Sequence, residues 1–238
     1  MLGRQLKTTR AVDSRLNNGF RPASSRRIHD VSGLVAALGL GPAALYGTTA
    51  YGGSGNSGTV YTIDGTGKEK VLYNFQGGSD GALPFSGLID VNATLYGTTL
   101  QGGGNHVGCY SSNTGCGTVY SISTTGHENV LYSFGGGGTY GGANGASPRA
   151  GLFELNGSLY GTASAGGSDG LGVAFSLSPS GSEQILHNFA GGSDGALPFS
   201  ALIDVNGTLY GTTSEGGSTL GCKRYGSSGC GTVFTLIP

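Results

Sequence analysis

The residues of this 238-residue chain with the greatest chemical scope are four cysteines, four histidines and a sparse set of acids. Cys109 and Cys116 are separated by six residues, and Cys222 and Cys230 by seven. Neither pair has the two-to-four-residue spacing usual for structural zinc, and only the first has a nearby histidine, His106. Two local disulfides, each clamping a loop, are the reading the spacing favours, and they call for an oxidising compartment. His127 falls in a turn, and His187 replaces the tyrosine of a recurring Leu-Tyr-x-Phe segment. Both are read as structural, outside any repeated constellation. Asp80 and Asp194 precede glycines in identical Ser-Asp-Gly-Ala-Leu-Pro stretches and are read as turn formers. Asp90 and Asp204 precede Asn-containing turns and are read as hairpin caps or solvent-facing acids. No Gly-x-Ser-x-Gly elbow joins a strand to a helix, and Gly67-Lys68 is followed by Glu69, which breaks a phosphate-loop pattern. No two carboxylates can be paired across space from the sequence. The expectation is therefore no catalytic residue set, no metal and no cofactor.

One aromatic row stands apart. Tyr46, Tyr96, Tyr160 and Tyr210 occupy equivalent places, each followed by Gly and Thr. They are the candidate ligand-binding residues, able to stack on sugar faces or peptides. The competing reading packs them in the core between repeats, with their hydroxyls satisfied.

Repeats position all of these groups. Leu-Tyr-Gly-Thr recurs at 45–48, 95–98, 159–162 and 209–212. A Gly-Thr-Val-aromatic segment, or close variant, follows at 58–61, 117–120, 172–175 and 231–234. A third segment follows three of them at 71–75, 130–134 and 185–189, and a fourth at 86–91, 150–155 and 200–205. Ser32-Gly33-Leu34-Val35 is a divergent copy of the last. Insertions fall only in loops: repeats two and four carry nine extra residues in the loop that holds the cysteines. Residues 79–99 and 193–213 agree at 19 of 21 positions, so a two-repeat unit of 114 residues has been duplicated.

Each segment is a short run of β-branched and aromatic residues bounded by Gly, Asn, Asp or Ser, the signature of strands. Asp64-Gly65, Asp80-Gly81, Asn156-Gly157, Asp194-Gly195 and Asn206-Gly207 supply tight turns. Val71, Tyr73 and Phe75 are expected on one strand face, with Leu72 and Asn74 on the other. About four strands per 50 residues predicts an all-β, β-propeller-like fold. It would have about four blades of four antiparallel strands, the last incomplete, and a piece of a larger propeller is the variant of this reading. Open blade edges would favour self-association, including two chains closing one ring.

Composition agrees. Glycine supplies 50 of 238 residues, which disfavours long helices, while 12 Tyr and 9 Phe argue against disorder. There is no long apolar run to cross a membrane. Residues 1–30 carry seven bases and two acids, and the rest is acidic, which makes nucleic acid a poor partner. This basic head is read as a disordered or targeting segment, and the apolar stretch from Val31 to Leu40 can be read as part of a secretion signal. The propeller-like domain is expected over 31–238, in repeats of about 31–78, 79–142, 143–192 and 193–238.

The succession Leu-Tyr-Gly-Thr-Thr, Gly-rich loop, Gly-Thr-Val-Tyr, Val-Leu-Tyr-x-Phe, Gly-Gly-x-Asp-Gly-Ala and Gly-Leu-Ile resembles the GloVer tandem repeat of bacterial proteins with varied cell-surface anchors. The resemblance spans about 32–237 and implies an extracellular or cell-surface, propeller-like scaffold without an established activity. The functional expectation is a secreted binding or structural module, with a glycan or cell-surface component as partner. The alternatives are a propeller hydrolase or lyase acting on polysaccharide or a small molecule, and an incomplete fragment of a larger repeat protein.

Overall fold

The computed structural model describes residues 31–37, 44–104, 109, 114–135, 142–218 and 229–238. The basic head, His106 and Cys222 lie outside them. The architecture is all-β and propeller-like: four antiparallel sheets follow one another along the chain. The first blade comprises β1 (Val31–Ala37), β2 (Ala44–Thr49), β3 (Thr59–Ile63) and β4 (Glu69–Asn74). The second comprises β5 (Ile89–Val91), β6 (Thr94–Thr99), β7 (Thr118–Ser123) and β8 (Glu128–Ser133). β9 (Phe153–Leu155), β10 (Ser158–Ala163), β11 (Val173–Leu177) and β12 (Glu183–Asn188) form the third. In the fourth, the short β13 (Ala196–Pro198) and β14 (Ile203–Val205) flank β15 (Thr208–Glu215), which also pairs with β16 (Val233–Leu236). Val31–Ala37, legible in sequence as a leader segment or as a divergent repeat, is a strand paired with β2.

Each of the first three blades is a four-stranded up-and-down meander, and β14, β15 and β16 form a three-stranded one, closed by turns that the sequence dictates. At the tight hairpins Asn92, Asn156 and Asn206 have φ of 53°, 53° and 55°, a left-handed geometry that Asn tolerates. Asp90 Oδ1, Glu154 Oε1 and Asp204 Oδ1 accept the backbone N–H of Ala93, Gly157 and Gly207, at 3.0, 2.7 and 2.8 Å. The cap reading of Asp90 and Asp204 holds, and Glu154 plays the same part.

The glycine of each Leu-Tyr-Gly-Thr segment has a steric cause. Gly47, Gly97, Gly161 and Gly211 lie opposite Tyr61, Tyr120, Phe175 and Phe234 on the neighbouring strand. Each aromatic ring folds over its glycine. A Cβ on Gly97 would stand 2.7 Å from Tyr120 Cζ, and one on Gly161 2.7 Å from Phe175 Cζ. A side chain there would expel the ring.

The core lies in the seams between blades. Tyr46, Val60 and Phe75 of the first blade pack on Leu88, Leu95, Tyr120 and Ile122 around the second. Val119 and Phe134 meet Leu152, Leu159, Phe175 and Leu177 at the next seam. Tyr160, Ala174 and Phe189 meet Leu202, Leu209 and Leu236 at the third. Edge-to-face ring pairs cross every seam: Phe75 with Tyr120, Phe134 with Phe175 and Phe189 with Phe234. Phe75, Phe134 and Phe189 are fully buried, each contributing roughly 1.5–3 kcal/mol by burial.

A repeated bulge corrects one sequence expectation. In β3–β4 the pairing runs from Val60↔Tyr73 to Tyr61↔Val71, so Leu72 is an extra residue. The same shift recurs in β7–β8 and β11–β12, at Leu131 and Leu186. Directly opposed residues share a face, so Val71 lies with Tyr61 and Tyr73 with Val60, on opposite sides of the sheet. Strict alternation had placed Val71 and Tyr73 together.

Candidate functional site

The bulge gives each outer strand two chemical faces. Glu69, Glu128 and Glu183 open β4, β8 and β12, opposite Ile63, Ile122 and Leu177. Ile122 and Leu177 face the preceding blade, and so do Glu128 and Glu183. Beyond the bulge, Tyr73, Tyr132 and His187 face the following blade. The first two seams therefore receive a Glu from one side and a Tyr from the other, whereas the third receives His187.

A residue from the inter-blade loop completes the cluster. Tyr73 donates its hydroxyl to Asp80 Oδ2 at 3.0 Å, and the same oxygen accepts Gln76 N–H at 2.8 Å. Asn144 Nδ2 donates to Tyr132 Oη at 2.8 Å in the next seam. In the third, His187 Nε2 lies 2.9 Å from Asp194 Oδ1, and Asp194 Oδ2 accepts Ala190 N–H at 2.8 Å. The sequence reading of His187 as outside any repeated constellation is thus corrected: it takes the tyrosine's place in one. Asp80 and Asp194 do more than form turns, because each also holds the side chain seven residues before it.

Burial sets the electrostatics. The Glu128 carboxyl is pushed up to about 7, first by burial and then by the charge of Asp80, while the Tyr73 hydroxyl opposes the shift. Burial also raises Glu183, against the hydroxyl of Tyr132. Oε1 of both glutamates is buried without a hydrogen-bond partner. Burial and the nearby Asp80 and Glu128 raise the Tyr73 phenol. The three seams balance charge differently: two carboxylates and a phenol, one carboxylate with an amide and a phenol, and one carboxylate with an imidazole. These glutamates were not singled out as site residues in sequence, although a Glu two places before each Val-Leu-Tyr or Ile-Leu-His was the available signal.

A separate opening lies between the second and third blades, whose first strands β5 and β9 approach each other. A cleft of ≈ 580 Å³ is lined there by Ile89, Asp90 and Asn92 of one blade and Phe153 and Glu154 of the next. It brings Phe153, which also packs against the third seam, beside two carboxylates, and each acid is oriented by the turn it caps.

None of the four candidate tyrosines lines this cleft. Tyr46 and Tyr160 are 7% and 9% exposed and sit within seam clusters. Tyr96 packs against the second seam and is half-buried, as is Tyr210. Cys109 and Cys116 form a disulfide with Cα atoms 5.0 Å apart. Cys230 is also disulfide-bonded. Among the described residues no group of three or more His, Cys, Asp or Glu could hold a metal ion. No helix among them is long and apolar enough to cross a membrane.

Four meander blades with repeated seams define a β-propeller-like tandem-repeat protein. The chain belongs to the Gloeobacter/Verrucomicrobia repeat family, whose model matches residues 45–226. Among solved structures it is similar to the GH43B protein of a Bacteroides ovatus xyloglucan locus, at 16% identity and a TM-score of 0.40. That match covers 77% of this chain and 36% of the other, so the chain spans about a third of that protein. A GH43 β-xylosidase/α-arabinofuranosidase from a compost microbial metagenome, solved with xylotriose, is similar at 11% identity and a TM-score of 0.37. There the match covers 86% of this chain and 69% of the other. No curated protein matches the chain.

Proposed function

We propose that this protein is an extracellular binding module that takes a glycan of a cell surface or matrix in the cleft between the second and third blades and does no chemistry on it. The observation that carries this reading is the pairing of Phe153 with Asp90 and Glu154 around one opening. An aromatic face stacks on the apolar side of a sugar, and fixed carboxylates accept its hydroxyls. Both acids are committed to turn N–H groups, which suits fixed recognition better than proton transfer. The Cys109–Cys116 disulfide supports an oxidising, extracytoplasmic setting.

A glycan array on the disulfide-intact protein, followed by calorimetric titration of the best ligand, tests the reading. Phe153→Ala should weaken binding at least about tenfold, beyond any loss of folded protein that its packing against the third seam causes. Release of shortened glycan or reducing ends would instead assign a hydrolase or lyase. Tyr96→Ala and Tyr210→Ala are the matched variants for the tyrosine row. Lost binding with intact folding gives the row a ligand role, whereas a lowered melting temperature without a separate binding defect assigns it to the seams.

A further inference from the structure

One position of the repeat carries an aromatic ring, an arginine and a second aromatic ring in three successive blades. The segments that lead into the second, third and fourth blades read Leu-Pro-Phe, Ser-Pro-Arg and Leu-Pro-Phe, and they end at Phe85, Arg149 and Phe199. Leu83, Ser147 and Leu197 have φ of 57°, 57° and 54°, a conformation that residues with a side chain seldom adopt and that the following proline restricts further. Their N–H groups donate to the carbonyls of Ser57, Cys116 and Leu171, in loops of the preceding blade, at 2.8, 2.8 and 2.9 Å. On the other flank, the carbonyls of Ser86, Ala150 and Ser200 accept the hydroxyls of Thr48, Thr98 and Thr162, again from the preceding blade, at 2.8, 3.2 and 3.2 Å. Phe85, Arg149 and Phe199 are thus held from both sides at junctions between blades. Backbone strain kept at equivalent places is a pointer to function.

Neighbouring members of this row meet. Gly87 and Gly151 follow Phe85 and Arg149 by two residues, and a Cβ on Gly151 would stand 3.8 Å from the Gly87 carbonyl oxygen. The Arg149 guanidinium carbon lies 5.3 Å from the centre of the Phe199 ring. Tyr51 of the first blade meets Phe85 edge to face, with ring centres 6.2 Å apart. Arg149 is exposed although blades flank its own on both sides, and it is the single arginine among the described residues. No carboxylate among them pairs with it. The Phe199 ring covers one face of the guanidinium and leaves the in-plane N–H fork open.

We propose that this row is a second binding site, for a glycan that carries a hexuronate. The Arg149 fork matches a sugar carboxylate, and Phe85 and Tyr51 offer ring faces to the adjoining sugar. The site goes beyond the glycan reading of the β5–β9 cleft and does not share its residues. The Ala82↔Gln101 and Ala146↔Ala165 bridges mark the end of these segments nearer Phe85 and Arg149, whereas Asn92 and Gly157 line the cleft at the hairpin end.

The test titrates hyaluronan tetrasaccharide and tetragalacturonate into the full, disulfide-intact protein by calorimetry. At least one should bind saturably, and its carboxyl-reduced counterpart, which keeps the rings and loses the charge, at least about tenfold more weakly. Added salt should weaken the acid and spare the reduced form. Arg149→Gln should bind the acid no better than the reduced form, with a melting temperature within a few degrees of the parent because the position is exposed. Arg149→Lys keeps the charge without the fork and should restore only part of the difference. Four results would each overturn the proposal: no binding of either acid at millimolar concentration, equal binding of the reduced form, unaltered binding by Arg149→Gln, or displacement of the sugar acid by an equal concentration of inorganic phosphate or sulfate. The cleft reading fails separately, on neutral glycans and Phe153.

Discussion

Glu128 and Tyr73 face one another across the first seam although they belong to different blades, and Asp80 anchors the tyrosine between them. The shared seam depends on the bulge at Leu72, which turns Tyr73 away from the face of its own strand's Glu69. Outer-strand register thereby becomes inter-blade chemistry.

Glu128 should make stability depend on pH in the direction opposite to ordinary acid denaturation. Its carboxyl rises from 4.5 to about 7 on folding, so the folded state holds the proton more tightly. The contribution is fully present below pH 4.5 and is lost as pH rises through about 7. Discounted for partial exposure, it amounts to about 1–2 kcal/mol. Glu128→Gln should raise the melting temperature at pH 8 and flatten the slope between pH 5 and 8 relative to the parent. An unchanged slope in thermal melts would refute the assignment.

Gly97→Ala should destabilise the protein by about 1–3 kcal/mol, because the new methyl would overlap the Tyr120 ring. Its φ is not left-handed, so the cost is steric and depends on the ring. Combining it with Tyr120→Leu should give less destabilisation than the sum of the single changes. Denaturant titration of the two single variants and the double variant measures this coupling.

Ala93 points the other way. It sits at φ 63° in a hairpin where the corresponding positions are Gly157 and Gly207. Ala93→Gly relieves a left-handed conformation at an exposed turn and should stabilise by about 0.5–1 kcal/mol, against the usual entropic cost of glycine. Chemical denaturation would show a higher midpoint with an unchanged slope.

Reducing the Cys109–Cys116 bridge should lower stability by roughly 2–3 kcal/mol in the chain-entropy model for so short a loop. Non-reducing and reducing mass spectrometry after alkylation should show protected thiols in the native protein. Cys109→Ser with Cys116→Ser should reproduce the loss in urea melts, with the Phe134–Phe175 seam retained.

The blade plan was legible because strand segments, Asn turns and the glycine before each threonine recur at fixed offsets. The seam clusters were not, for two reasons. Strict alternation describes a regular ladder, and one extra residue at Leu72, Leu131 or Leu186 reverses the faces beyond it. The partners of Tyr73 also come from a loop seven residues on and from a strand more than 50 residues on, so no local pattern joins Asp80 and Glu128. His187 looked isolated because its equivalents are tyrosines, a different residue type in the same role. The tyrosine row was read as a repeat with packing between repeats as one of its two readings; which members are buried, Tyr46 and Tyr160, depends on the neighbouring blade and is not contained in a strand pattern.

The rings folded over Gly47, Gly97, Gly161 and Gly211 also impose an order on sequence drift. A blade that gains a side chain at the glycine first must pass through an overlapped, unstable form. One that first shrinks its ring leaves space that a later side chain can occupy. Divergence of these blades should therefore run through the aromatic position before the glycine, and a copy with a small residue opposite an intact glycine marks the intermediate on that route.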